Sequence, residues 1–299
     1  TAERVLLKDA SFSLQEGEKV GVIGVNGMGK STLLKIIAGV EEPDEGTVIR
    51  GSHVKTAYLE QTPQLEDTDS ILKSALKGLD AQDGVLEGEA RSMLHQLGFT
   101  DMGQPVKYLS GGQKKRVALV NVLLQPVELL ILDEPTNHLD SEMSGWLEDY
   151  LAKFRGAVVM VTHDRYFLDR IVGRIVEVEY GDIYSYPGNY ADYIALKMQR
   201  QSMEQASQRK RKSILKKELA WLARGARARS TKQKAHIQRI ETLLAMDGPL
   251  EEKRVEMSSA SSRMGKKTIE LKNISKSYGG QKLIQDFSYI FLKGERIGI

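Results

Sequence analysis

The chain has 299 residues, 43 lysine and arginine against 40 aspartate and glutamate, and a formal net charge of +3. Its 41% hydrophobic and 28% charged residues are ordinary for a soluble globular protein with room for a full core and further elements. The lack of cysteine excludes disulfides, thiolate metal sites and cysteine nucleophiles and fits a reducing compartment, and no apolar run approaches the ~18–20 residues of a membrane helix.

In chain order, residues 1–188 read as alternating strands and helices. Val5–Leu14 and the Gly46–Tyr58 region are expected as antiparallel strands at one edge. Lys19–Gly24 is a short apolar strand running into a glycine-rich turn, and Lys30–Ala38 reads as the helix that follows. Ser70–Leu97 is expected to be mostly helical. Val127–Leu132 and Ala157–Val161 are short apolar segments of the kind buried in parallel sheets. The fold class expected is α/β: a P-loop NTPase domain with a central sheet and an antiparallel edge.

Residues 189–267 differ in character. Leu215, Leu219 and Leu222 recur at i, i+4, i+7, and Ile237, Ile240 and Leu244 at i, i+3, i+7, one apolar stripe on each of two helices, with Gly225 as the turn between them. The expectation is a helical hairpin with a basic tip, followed over 248–267 by a flexible linker. Residues 197–240 hold 14 lysines and arginines and two acids, on an otherwise acidic chain, an asymmetry that points to a polyanionic partner. From about Thr268 the sequence repeats itself: Leu283–Ile299 aligns without gaps on Leu6–Val22, matching Asp9 with Asp286, Gly17 with Gly294 and Gly21 with Gly298. The second copy, 268–299, is expected to stop short of its own phosphate loop.

The residues that carry chemistry lie mostly in the first copy. Gly24, Asn26, Gly27, Gly29, Lys30, Ser31 and Thr32 fall in a G-x4-G-K-[ST] pattern between a strand and a helix. In such a loop, backbone N–H groups curl around phosphates, the lysine reaches the β- and γ-phosphates, and the serine ligates Mg²⁺. Leu129–Leu132 ends in Asp133 and Glu134. Asp133 is placed to hold Mg²⁺ and Glu134, one residue on, to polarise an attacking water. Ser110, Gly111, Gly112 and Gln113 open a helix, with Ser110 as its cap and the helix N-terminus suited to an anion.

Leu109-Ser-Gly-Gly-Gln113 resembles the signature of the ATP-binding-cassette superfamily, and the resemblance continues in family order. Gln61 is similar to the Q-loop glutamine near Mg²⁺, Asp140 to the D-loop aspartate and His163 to the switch histidine at the γ-phosphate. The resemblance implies an Mg²⁺-dependent ATPase in which two cassettes pair head to tail, so that Ser110 and Gly112 serve the nucleotide bound opposite. It also gives Tyr278 of the second copy the role of stacking on adenine, with Thr1 opposite it in the first copy.

Within that superfamily the segment Glu134–Asp140, two cassettes on one chain and the Glu218–Ala235 hairpin resemble the ABC-F proteins, near the Uup-like branch. That implies a cytoplasmic protein whose linker meets the ribosome, with Arg224, Arg227, Arg229, Lys232 and Lys234 neutralising rRNA or tRNA phosphates. Only 62–108 separate Gln61 from Leu109, too few for the long helical arm some relatives insert there. Two alternatives stay open: the ATPase subunit of an ABC transporter, and an ATP-dependent DNA-binding protein of Uup type.

Overall fold

A computed structural model of the chain describes residues 5–8, 10–80, 84–223, 267–278 and 281–292, with the side chains of 217–223, 267, 268 and 281 outside the description. It forms two compact units, Thr1–Ala226 and Arg227–Ile299.

The first unit is built on a six-stranded sheet. Its strands are β1 (Lys19–Gly24), β2 (Thr56–Leu59), β3 (Leu129–Asp133), β4 (Ala157–Val161), β5 (Arg174–Glu179) and β6 (Asp182–Pro187), in the spatial order β2-β3-β4-β1-β5-β6. The first five of that order pair in parallel, and β6 returns antiparallel on β5. The helices are α1 (Lys30–Ala38), α2 (Ile71–Ala75), α3 (Val85–Gln96), α4 (Gly111–Leu123), α5 (Ser141–Lys153), α6 (Arg165–Ile171) and α7 (Tyr190–Ala223).

Alternation along the strands makes two cores. Leu129 and Ile131 of β3 join Val20, Val22, Val159, Val161, Val176 and Val178 on the face that α1 covers with Leu33 and Leu34. Leu130 and Leu132 point the other way, with Val158, Met160 and Ile175, against Val117 and Val120 of α4, Leu147 and Leu151 of α5, and Phe167 of α6. Each such side chain contributes about 1.5–3 kcal/mol on leaving water. A strand buried on both faces needs apolar residues at consecutive positions, which is why β3 and β4 read as continuous runs.

Lys19–Gly24, Lys30–Ala38 and Ala157–Val161 form where the sequence places them. An antiparallel edge forms as well, but from β6 on β5 and not from the stretches expected to supply it. No strand runs through the described residues of Val5–Leu14, and of Gly46–Tyr58 only its end enters a strand, Thr56–Leu59, which pairs in parallel with β3. Alternating apolar residues become a strand only with a hydrogen-bonded neighbour. Among the described residues of 5–14, one such backbone bond forms, from Lys8 N–H to the Gly181 carbonyl at 2.8 Å. Between Gln61 and Leu109 lie the five-residue α2, the twelve-residue α3 and a 3₁₀ turn at Val106–Tyr108, so the described residues there hold no long arm.

α7 is tied to the sheet at its foot. Asn189 and Asp192 cap it reciprocally, each side chain accepting the other's backbone N–H at 3.1 Å. One turn on, Tyr193 donates to the buried Glu177 of β5 at 2.9 Å, joined by Lys197, Arg200 and Tyr186. Beyond Arg200 none of the described side chains is buried. The second helix of the expected hairpin, and Arg224, Arg227, Arg229, Lys232 and Lys234, lie outside the described residues.

In the second unit, β7 (Lys267–Tyr278) and β8 (Gln281–Leu292) pair antiparallel, with Asn273 and Asp286 at positive φ and irregular register between Leu271 and Ser277. Gln281–Leu292 is the repeat of residues 4–15, so the same sequence pattern forms a ladder here, where a neighbour is present.

Candidate functional site

Parallel strands end at one edge of a sheet, and residues leaving those ends share a crevice. Gly24 closes β1, Gln61 follows β2, Asp133 closes β3 and His163 follows β4. Four segments far apart in sequence are thereby gathered at one edge.

The loop after β1 turns through Gly27 and Gly29, at φ 78° and 92°, a backbone region that side-chain-bearing residues rarely adopt. Gly29 precedes α1, whose first residues are Lys30, Ser31 and Thr32, and it offers no side-chain cap to the helix N-terminus. Lys30 is buried, and its Nζ donates to the Gly24 carbonyl at 2.8 Å, the Val25 carbonyl at 3.3 Å and Asn26 Oδ1 at 3.3 Å. Burial lowers its pKa, against the fields of Glu134 and Asp133, which raise it.

Asp133 and Glu134 are both buried. Neither carboxylate oxygen of Asp133 has a hydrogen-bond donor among the described residues, and neither does Glu134 Oε2. Orphaned buried carboxylate oxygens are costly, and a bound ion or a catalytic role is a reason for keeping them. One carboxylate beside a phosphate loop is the donor set Mg²⁺ takes, since phosphates and water supply the remainder. Asp133, with Ser31 and Gln61 as candidate co-ligands, fits that group.

Glu134 sits at φ 53°, a strained setting for a residue with a side chain, and its N–H donates to the Val161 carbonyl of β4 at 2.8 Å. Its Oε1 lies 3.3 Å from Nε2 of the exposed His163. Burial raises the Glu134 pKa, and His163 is the largest opposing influence. The same two loops are joined again by the hydroxyls of Thr136 and Thr162, 2.7 Å apart.

The remaining expected residues stand as follows. Ser110 caps α4 in a reciprocal box with Gln113: its Oγ accepts from Gln113 N–H at 3.3 Å, and Gln113 Oε1 accepts from Ser110 N–H at 2.9 Å. Gly111 is the first residue of α4. Gly112 lies flush against His138, where a Cβ would meet the imidazole at 2.8 Å, and His138 itself has φ 67°. Asp140 caps α5, its Oδ1 accepting from Glu142 and Met143 N–H at 3.0 and 2.9 Å. Tyr278, in the second unit, is exposed, with Lys276 Nζ 4.7 Å from its ring centroid. Thr1 is outside the described residues.

Three participants escaped the sequence: His138, the Thr136–Thr162 contact and Lys115. The last donates from α4 to the carbonyls of Asp133 and Gln61 at 2.9 and 3.2 Å. A signal for it existed, since Lys115 shares a helical face with Ala118, Leu119 and Val122.

Residues 7–137 match a family described as ABC transporter, and 176–259 match a second of the same description. An uncharacterized ABC transporter ATP-binding protein, YfmR of Bacillus subtilis, is 41% identical over 99% of this chain and 53% of its own length. Energy-dependent translational throttle protein EttA of Haemophilus influenzae is 36% identical over 99% of this chain and 61% of its own. The chain thus spans between half and two thirds of these relatives. A solved complex of an archaeal ribosomal stalk protein with the ribosome recycling factor aABCE1 superposes with a TM-score of 0.50 at 29% identity, over 57% of this chain and 34% of that one.

Proposed function

The chain carries a cassette of the ABC ATP-binding-cassette family, whose domains are ATPases, and from that premise we propose that it binds Mg²⁺·ATP, hydrolyses it and acts on the ribosome as an ABC-F protein near the Uup-like branch. The observation that carries the ATPase part is the meeting of Lys30, Asp133, Glu134 and His163 at the carboxyl edge of one parallel sheet.

On ATP binding, Lys30 exchanges its three loop acceptors for phosphate oxygens, while the N–H groups of Gly27 to Ser31 cradle the β-phosphate. Ser31, Gln61 and Asp133 would hold Mg²⁺, which when bound would offset the phosphate charge. Glu134, whose proton affinity is raised by burial, orients the attacking water and accepts its proton, and His163 fixes the carboxylate from the solvent side. Ser110 and Gly112 present the start of α4 to the nucleotide of a paired cassette.

Support for the ribosomal role comes from charge and from relatives. Arg209, Lys210, Arg211, Lys212 and Lys216 line the outer part of α7 and lead to the basic segment 224–239, a polycation suited to RNA phosphates. One relative is named for a translational throttle and one structural neighbour for ribosome recycling. No helix among the described residues is long and apolar enough to cross a membrane. Sedimenting the full-length Glu134→Gln protein with ribosomes tests the reading. ATP-dependent, salt-sensitive association is expected. Association with duplex DNA or membrane proteins in its place, with none to ribosomes, contradicts it.

A further inference from the structure

Three consecutive cations follow the start of α4, and they part company. Lys114 reaches the surface Asp67 at 2.9 Å, and Arg116 donates to the Leu97 carbonyl at 2.8 Å. Lys115 turns inward, is 5% exposed, and donates its ammonium to the main-chain carbonyls of Asp133 at 2.9 Å and Gln61 at 3.2 Å. A buried ammonium needs acceptors and countercharge in compensation. Here the acceptors are the main chain of two residues that the proposed site uses to hold Mg²⁺, and the countercharge is Asp133 and Glu134 themselves.

We propose that Lys115 is a positioning residue for ATP hydrolysis, tying the helix that begins at Ser110, the Gln61 turn and the acidic end of β3 into one unit. This deepens the ATPase reading and rests on it. Three elements from separate parts of the chain meet at a single ammonium, which ties Gln61 and Asp133 together just past the end of the β2–β3 ladder. A displacement of Ser110 by a partner cassette is carried along the first turns of α4 to the acidic pair by the same link. Lys115 touches no reacting atom; it acts through the backbone of Asp133 and Gln61.

The test measures steady-state ATPase of the full-length protein and its Lys115→Met, Lys115→Gln and Lys115→Arg variants, each checked for folding by thermal melting. Methionine keeps length and packing but loses all donors. Glutamine keeps one donor group on a shorter arm. Arginine keeps charge and several donors. Expected are a kcat roughly tenfold lower or worse for Met and Gln with the ATP KM within about twofold, and recovery to within about threefold of the parent for Arg. Should Met not fold, the Gln and Arg pair decides alone. An active parent with Met or Gln kcat within twofold of it, a change confined to KM, or an Arg variant no better than Gln overturns the proposal while leaving the ATPase reading intact. A parent that binds no Mg²⁺·ATP overturns both.

Discussion

His163 Nε2 lies 3.3 Å from Oε1 of Glu134, bridging the residues that follow two adjacent strands. The link is repeated in the main chain, where Glu134 N–H donates to Val161, two residues before the histidine. Glu134 is buried and strained while His163 is largely exposed, so the histidine is the partner free to move. Replacing it removes the imidazole from Oε1 and leaves the carboxylate held from the main chain alone. His163→Ala is expected to lower kcat by about 10- to 100-fold with a small change in ATP affinity, measured by steady-state hydrolysis beside equilibrium nucleotide binding. Equal loss in both would place the residue in binding instead.

Most of this site is legible in the sequence because its parts are local. A glycine turn before Lys30, two acids after an apolar strand and a capped helix at Ser110 each specify their own geometry within a few residues. What stayed hidden depends on contacts between distant segments. The role of Lys115 emerges only once α4 is set against β3, and Gly112, expected to open a helix suited to an anion, also lies flush against His138. The missed edge has the same origin. Val5–Leu14 alternates like a strand, and its repeat at Gln281–Leu292 is one, but pairing is decided by the neighbour.

Gly112 leads to a second prediction. An added methyl group would lie 2.8 Å from the His138 Cβ and Cγ, so the ring or the segment before Asp140 must shift, and His138 is already at φ 67° with little freedom to adjust. Gly112→Ala is expected to reduce turnover by about tenfold while ATP binding at Lys30 persists, because the displaced residues lie on the signature side. Unchanged turnover would mean that the ring finds another place without cost.

Glu177 anchors the foot of α7, and its removal should be felt in stability. It is 3% exposed and receives Tyr193 and Tyr186 hydroxyls, Lys197 and Arg200, while Arg200 also lies 3.6 Å over the Tyr184 ring. Glu177→Ala leaves these donors facing an apolar gap, at a cost of about 3 kcal/mol in urea unfolding of the first unit. Burial and Glu177 both raise the pKa of Tyr193 and of Tyr186, so the hydroxyl donors persist well into alkaline solution. The loss should therefore be similar at neutral and mildly alkaline pH. A cost below about 0.5 kcal/mol would show that α7 is held by its apolar contacts alone.

The central claim, that Glu134 polarises water at a site where Lys30 and Asp133 hold the nucleotide, is tested most directly by single-turnover hydrolysis in the Glu134→Gln full-length protein, with ATP affinity measured on the same sample. Removing the carboxylate without changing its shape should slow phosphate release by about 100-fold or more and leave ATP bound at parental affinity. Hydrolysis at the parental rate would contradict the account.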